Sequence, residues 1–182
     1  REMKNEVEKA FSRTMSPSEL MLQIKLLHQL GILPTSIEEP EDLFELYAIA
    51  ALAIYDPWTK SLLLKDDLSR TDLRSTIPHE WVHALQDQRF DLKKYSTLSK
   101  LSPKSGLADH DRARSFVIEG EANAVVAILE SDSKGIIAPP DKSGPFILNT
   151  DIDPMANFIR LTSLPYTEGT HTILKLVDSK GW

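Results

Sequence analysis

Apolar residues recur three or four positions apart along much of the chain, a spacing that predicts amphipathic helices. The clearest case is the segment "SPSELMLQIKLLHQLGILP". Ser16 and Glu19 have the spacing of a capping box, and Pro17 suits the first helical position. Gly31 suits the end of the helix. The apolar face is predicted to consist of Leu20, Ile24, Leu27 and Leu30.

Similar patterns predict further helices over residues 3–14, 36–54 and 108–131. The pattern over residues 153–182 predicts two helices, because Pro165 has no N–H to donate and would end the first of them. The chain is therefore predicted to be mostly helical.

The stretch "AIYDPWTKSLLLKD" has a different pattern, in which two short apolar runs flank the turn residues 56–59. This pattern predicts a β-hairpin. Residues 68–76 predict a polar connection, and residues 134–145 predict a loop rich in proline and glycine. The expected fold class is α+β, as one domain over residues 1–182, with residues 1–15 as an N-terminal helical extension.

Composition narrows the function classes. The 182 residues carry a net charge of −6, which argues against a nucleic-acid partner, whose footprint would be basic. The chain contains no cysteine, so disulfides, cysteine-ligated zinc and a thiol nucleophile are excluded. No run of 18 apolar residues is present, so no membrane-spanning segment is predicted.

The stretch "RSTIPHEWVHALQDQRFDL" carries the candidate chemistry. His79 and His83 are four residues apart, so a helix places both imidazoles on one face. Glu80 lies beside them, where it can act on a water molecule without binding the metal. A catalytic zinc site uses such nitrogen and oxygen ligands and keeps one position for water. The pattern predicts a Zn2+ site with Glu80 as general base.

Two neighbours of this motif refine the prediction. Proline is tolerated in the first helical turn, so Pro78 predicts that the helix begins at about Ser75 or Thr76. His79 would then lie near the helix N-terminus, where the dipole disfavours imidazolium and favours the metal-binding neutral form. Asp87 follows His83 by four residues and is expected either to accept its second N–H or to be a solvated carboxylate.

A third ligand is expected in "VIEGEANAV", where Glu119 and Glu121 interrupt an apolar pattern. Buried carboxylates are rare unless they are paired or bind a metal, so one of the two is expected to face the core. The alternative is that both are exposed on an amphipathic helix. Asn123 follows Glu119 by four residues and is expected to orient a ligating histidine.

The segments "HEWVHALQDQRFDL" and "EGEA" resemble the gluzincin metallopeptidases, in which two histidines and a glutamate from the next helix hold zinc. The resemblance is closer to a group of mostly uncharacterised bacterial proteins with an H-E-x-x-H-A-L-Q-D-Q signature. It extends from about Leu30 to Trp182 through "LGILP", "YDPWTKSLLL", "LPYTEG" and the final "GW". It implies a zincin-like fold, a chain that continues beyond Trp182, and an extracytoplasmic bacterial setting.

The resemblance also implies roles for particular residues. Glu119 matches the third zinc ligand, with Glu121 as the runner-up. Asn123 stands where thermolysin-like enzymes carry an aspartate. A donor to the transition state is implied as well, and the candidates are Tyr166, which matches the "PY" of the group, and His171.

The leading hypothesis is therefore a zinc-dependent hydrolase that cleaves peptide bonds in a peptide or protein substrate. The alternative is an inactive protein of the same fold that acts as a structural or protein-binding module. A third hypothesis is a helical scaffold in which His79 and His83 bond to carboxylates. The sequence specifies neither the cleavage specificity nor the oligomeric state.

Overall fold

The computed structural model describes residues 2–97, 107–134 and 153–181. This part of the chain is mostly helical and contains a two-stranded antiparallel sheet, which agrees with the predicted α+β composition. The elements in chain order are α1 (Glu2–Thr14), α2 (Pro17–Gln29), α3 (Pro40–Ala50), β1 (Ala53–Asp56), β2 (Ser61–Leu64), α4 (Arg70–Phe90), α5 (Leu92–Thr97), α6 (Leu107–Lys134) and α7 (Pro154–Lys180).

The elements form two compact units. The first contains α1 to α3 and the beginning of α7, up to Thr162. The second contains the hairpin, α4 to α6 and the rest of α7, from Ser163. The single domain over residues 1–182 stays a prediction.

The first unit is built around aromatic side chains. Phe11 of α1 lies 5.4 Å from Phe44 and 5.2 Å from Tyr47 of α3, measured between ring centroids. Tyr47 in turn meets Phe158 of α7 at 5.8 Å. The segment that was predicted to be an N-terminal extension is thus helix α1, and it packs against α3. The buried core of the first unit also includes Met3, Val7, Leu20, Ile24, Ile32, Leu33 and Leu43.

The start of α2 was predicted correctly. Ser16 caps the helix, and its capping box with Glu19 is complete. The predicted apolar face was too long, because Leu30 lies beyond the last helical residue and is 45% exposed. The next helix, predicted over 36–54, is shorter, because the chain leaves α3 after Ala50 to enter β1.

The second unit begins with the predicted hairpin, whose strands pair from Ala53 with Leu64 to Asp56 with Ser61. Asp56 stabilises the turn, because its carboxylate accepts the backbone N–H of Trp58 and the hydroxyl of Thr59.

The helix α4 begins earlier than predicted. Ser69 is its N-cap and forms a capping box with Asp72, so residues 70–76 of the stretch interpreted as a polar connection form the first two turns of the helix. Pro78 lies inside α4, where it removes the hydrogen bond that its N–H would give to Arg74 but does not end the helix. The prediction that His79 lies near the helix N-terminus was wrong, and the dipole argument does not apply to it.

The helix α7 also continues through a proline, since Pro165 lies inside it rather than between two helices. The loop predicted over 134–145 lies outside the described residues from position 135 onward. Within residues 2–97, 107–134 and 153–181, none of the helices has the length and apolar character needed to cross a bilayer.

Candidate metal centre

Helices α4 and α6 bring three of the predicted ligands together. His79 Nε2 lies 3.2 Å from Glu119 Oε2, and His83 Nε2 lies 3.3 Å from the same oxygen. The two Nε2 atoms are 3.0 Å apart. The side chains of His79, His83 and Glu119 are 13%, 11% and 22% exposed, so the cluster is largely buried but still reaches solvent. These three residues form a group that is able to hold a metal ion.

A side-chain amide fixes the tautomer of His79. Asn123 Nδ2 donates to the backbone carbonyl of Tyr166 over 3.2 Å. A carbonyl oxygen only accepts, so this contact sets the orientation of the amide. Asn123 Oδ1 therefore faces His79 Nδ1 at 2.8 Å and accepts its N–H. In the neutral imidazole, the Nε2 atom carries the lone pair and faces the cluster.

A second amide, that of Gln86, fixes the tautomer of His83. Gln86 Nε2 donates to the carbonyl of Ile118 over 3.0 Å and to Glu121 Oε2 over 2.8 Å. Both partners only accept in these states, so Gln86 Oε1 must face His83 Nδ1, which lies 2.9 Å away. In the neutral imidazole, His83 Nε2 then also presents a lone pair to the cluster.

The donor set fits a metal cation. Two Nε2 lone pairs and the Oε2 atom of Glu119 converge, and Oε2 is buried without a hydrogen bond to any described residue. Buried acceptors of this kind are costly unless a proton or a metal ion lies between them. Tetrahedral zinc with ligands at about 2.0–2.1 Å places those atoms about 3.3 Å from one another. The observed separations of 3.0 Å to 3.3 Å are close to this spacing.

The electrostatics of the metal-free cluster are those of an ion pair. Burial would raise the pKa of Glu119, but the neighbouring imidazoles of His79 and His83 outweigh it and lower the pKa to about 2. Burial would lower the pKa of His83, but its contact with Glu119 outweighs this and raises the pKa to about 9. Without metal, a proton on His83 therefore faces Glu119 at the place where a cation fits.

Glu80 lies beside the cluster and is held by the hairpin. The backbone N–H of Tyr55 donates to Glu80 Oε2 over 2.8 Å. Glu80 is only 7% exposed, and burial raises its pKa above the ordinary value, while the charges of His83 and His79 oppose the shift. A carboxylate whose pKa is raised towards neutrality is a better proton acceptor.

Asp87 is neither the partner of His83 nor a solvated carboxylate. It accepts the hydroxyl of Tyr55 over 2.8 Å, the ammonium of Lys60 over 2.5 Å and the backbone N–H of Leu92 over 3.0 Å. Its side chain is 1% exposed. Burial would raise the pKa of Asp87, but Lys60 and Tyr55 outweigh it and hold the pKa below its ordinary value. The predicted role failed because hairpin groups far away in sequence occupy the carboxylate.

The two glutamates of α6 have separate roles. Glu119 points to the two histidines, whereas Glu121, the alternative ligand, accepts the amide N–H of Gln86. The expectation that both could be exposed was wrong, since each is at least partly buried. Gln86 was missed by the sequence reasoning. The sequence did contain a signal for this contact, because Gln86 follows His83 by three residues and so lies on the same helix face.

Tyr166 borders the cluster, because its ring stacks on that of His79 with centroids 6.0 Å apart and planes inclined by 23°. A close approach of α7 to α6 brings it there. A Cβ atom at Gly169 or Gly120 would collide with the backbone of the opposite helix. His171 follows Gly169 by two residues, about 200° around the axis, so it leaves α7 on the side away from α6. Its interpretation as a transition-state donor stays a prediction.

No protein-family model, curated protein or solved structure matches this chain.

Proposed function

We propose that the chain is a zinc-dependent peptidase of the gluzincin type, with a zincin-like fold around α4 and α6. In this proposal His79, His83 and Glu119 hold Zn2+, and Glu80 is the general base. The observation that carries the proposal is the convergence of three buried acceptors whose two histidine tautomers are set in advance by amides. A helical scaffold would instead hold His83 and Glu119 together as an ion pair, and the metal content distinguishes that alternative from a zinc site.

Zinc bound at this cluster would act as a Lewis acid and lower the pKa of a water molecule towards neutrality. Glu80 then accepts a proton from that water and later returns it to the amine that leaves. The hydrogen bond from Tyr55 holds Oε2 of Glu80, so we assign the proton to Oε1. A bound peptide supplies the carbonyl group that the water attacks.

Tyr166 is the candidate donor to the oxyanion that forms during peptide hydrolysis. Its side chain stacks on the ligand His79 and the residue is 42% exposed, so a substrate can reach it. A phenol hydroxyl is a suitable donor to developing negative charge. Tyr166 is preferred to His171 for this role, because His171 follows Gly169 by two residues and so leaves α7 about 200° away from it.

Metal content is the first test. Purified protein should contain about one zinc per chain, as expected for a site with three protein ligands. Glu119→Ala should lose most of the zinc, because it removes one ligand and leaves two neutral histidines. Glu130→Ala is the matched control, since Glu130 lies on the same helix but is exposed. Zinc-free wild-type protein, even after incubation with zinc, would contradict the proposal.

Catalysis is tested separately with Glu80→Gln. Glutamine still accepts the N–H of Tyr55 but cannot take up the proton, so hydrolysis of a fluorescence-quenched peptide library should fall by at least about 10²-fold. Zinc content should not change, because Glu80 is not a ligand. Zinc binding without hydrolysis in the wild type would favour the alternative, an inactive protein of the same fold.

A further inference from the structure

Gln86 is a buried side chain that the proposed reaction does not use. It is 5% exposed, and its amide makes three directed contacts, two as donor and one as acceptor. The donors reach the carbonyl of Ile118 and the carboxylate of Glu121, both on α6, while the acceptor reaches His83 on α4. A rotated amide would place its oxygen against these two acceptors and its N–H groups against the N–H of His83.

We infer that Gln86 is a positioning residue for the metal centre, oriented by Glu121, and that it holds His83 with Nε2 towards Glu119. The inference rests on the proposed function for the identity of the metal. Glu121 thereby acts on the cluster through Gln86 rather than as a ligand.

The type of group that accepts the second N–H of each histidine affects the affinity for the metal. Metal-bound histidines usually donate their second N–H to a partner, and loss of that partner typically costs 10–100-fold in affinity. Here both partners are amides, Asn123 for His79 and Gln86 for His83. An amide orients the imidazole but adds no negative charge, so it makes the ligand less basic than a carboxylate would.

The affinity test compares wild-type protein with three variants of the full chain, by competition for zinc with a chelator. Gln86→Leu should weaken zinc binding about 10–100-fold. Gln88→Leu is the matched control, because Gln88 lies on the same helix but is exposed, and its affinity should match the wild type. The exchange Gln86→Glu with Glu121→Gln keeps the net charge and the contacts to His83 and to position 121, places a carboxylate on His83, and loses the donor to the carbonyl of Ile118. Because an acceptor for His83 remains, it should bind zinc within about tenfold of the wild type.

The exchange variant also covers the case in which Gln86→Leu does not fold. A fall of more than tenfold in the zinc affinity of the folded exchange variant would overturn the inference. Wild-type affinity in a folded Gln86→Leu protein would overturn it as well. Wild-type protein that binds no zinc at all would instead contradict the proposed function.

Nuclear magnetic resonance of the metal-free protein tests the hydrogen bond itself, whether or not zinc binds. The Nδ1–H proton of His83 should be protected from exchange with water in the wild type and in Gln88→Leu. It should lose this protection in Gln86→Leu and keep it in the exchange variant. Equal protection in the wild type and in Gln86→Leu would overturn the inference, because another group would then hold His83.

Discussion

Tyr55 joins the hairpin to α4 through two different groups, its backbone N–H on Glu80 and its hydroxyl on Asp87. The two carboxylates are seven residues apart, which is about two helical turns. Lys60, at the other side of the turn, adds a second contact to Asp87. The strand that positions Glu80 is therefore also fixed one helical turn beyond His83, through a carboxylate that contacts neither histidine, so the stability of the hairpin and the proposed metal site can be tested separately.

Asp87→Asn should destabilise the fold without removing the metal. The change removes the charge that accepts from Tyr55 and Lys60, and loss of hydrogen bonds at a buried carboxylate costs about 1–3 kcal/mol. Denaturant unfolding should show this loss, while zinc content should remain that of the wild type. Asp67→Asn serves as control, because Asp67 is exposed and should change stability by less than about 0.5 kcal/mol. Loss of zinc comparable to that in Glu119→Ala would show that Asp87 supports the ligands after all.

The metal-free protein should lose stability as the pH rises from 6.5 to 9. The pKa of His83 is raised from 6.5 to about 9 in the folded chain. Its stabilising contribution is complete below pH 6.5 and is lost as the pH rises through 9. The pKa of Glu119 is lowered from 4.5 to about 2, so its contribution is complete above pH 4.5 and is lost on acidification through 2. The pair therefore contributes most between pH 4.5 and 6.5.

The affinity for zinc should change in the opposite direction over the same pH range. The metal competes with the proton on His83, so its affinity should increase from pH 6.5 to 9. Thermal unfolding with and without zinc at several pH values measures both trends, and the gap between the two curves should widen. In Glu119→Ala the metal-free pH dependence in this interval should flatten. Metal-free stability that increases from pH 6.5 to 9 would contradict the ion pair.

Local signals in the sequence predicted the elements whose residues are close together in the chain. The capping box at Ser16, the hairpin around Asp56 and the face shared by His79 and His83 each depend on neighbours within four residues. The start of α4 was mispredicted because Pro78 was expected to lie in the first turn, whereas the helix begins two turns earlier at the capping box of Ser69 and Asp72. A single lost hydrogen bond did not outweigh a complete capping box and the packing of the helix.

The supports of the site could not be predicted in the same way. The carboxylate of Asp87 accepts hydrogen bonds from Tyr55 and Lys60, which are 32 and 27 residues away in the sequence. Gln86 depends on α6, which contributes the carbonyl of Ile118 and the carboxylate of Glu121. Which of several polar side chains reaches a histidine is decided by the docking of helices and strands, and one sequence carries no direct signal for it.

Replacing either helical glycine at the crossing of α6 and α7 by alanine should destabilise the protein. Helix propensity alone predicts the reverse, since alanine is favoured over glycine in a helix by about 0.8–1.0 kcal/mol. A Cβ atom on Gly120 or Gly169 would meet backbone atoms of the other helix, which cannot move aside as a side chain would. We expect a loss of about 1–3 kcal/mol for each variant in denaturant unfolding. A gain in stability would show that the helices do not cross this closely.

Tyr166→Phe should separate the two contributions of this side chain. The phenylalanine ring can still stack on His79, and the hydrogen bond from Asn123 goes to the backbone carbonyl of position 166, so both contacts survive. Zinc affinity should therefore remain that of the wild type. If the hydroxyl stabilises the oxyanion, kcat for a cleaved peptide should fall by about 10²–10³-fold with little change in KM.

His171→Phe is the matched control for this experiment, because it lies on the same helix but on the side away from α6. Its kcat should stay within about threefold of the wild type, which corresponds to less than 1 kcal/mol in the barrier. Tyr166→Ala should in addition weaken zinc binding, since it removes the ring that packs on His79. Wild-type kcat in Tyr166→Phe would reject the hydroxyl as the donor and leave Tyr166 as a wall of the site. A large loss in His171→Phe would mean that the substrate extends around α7.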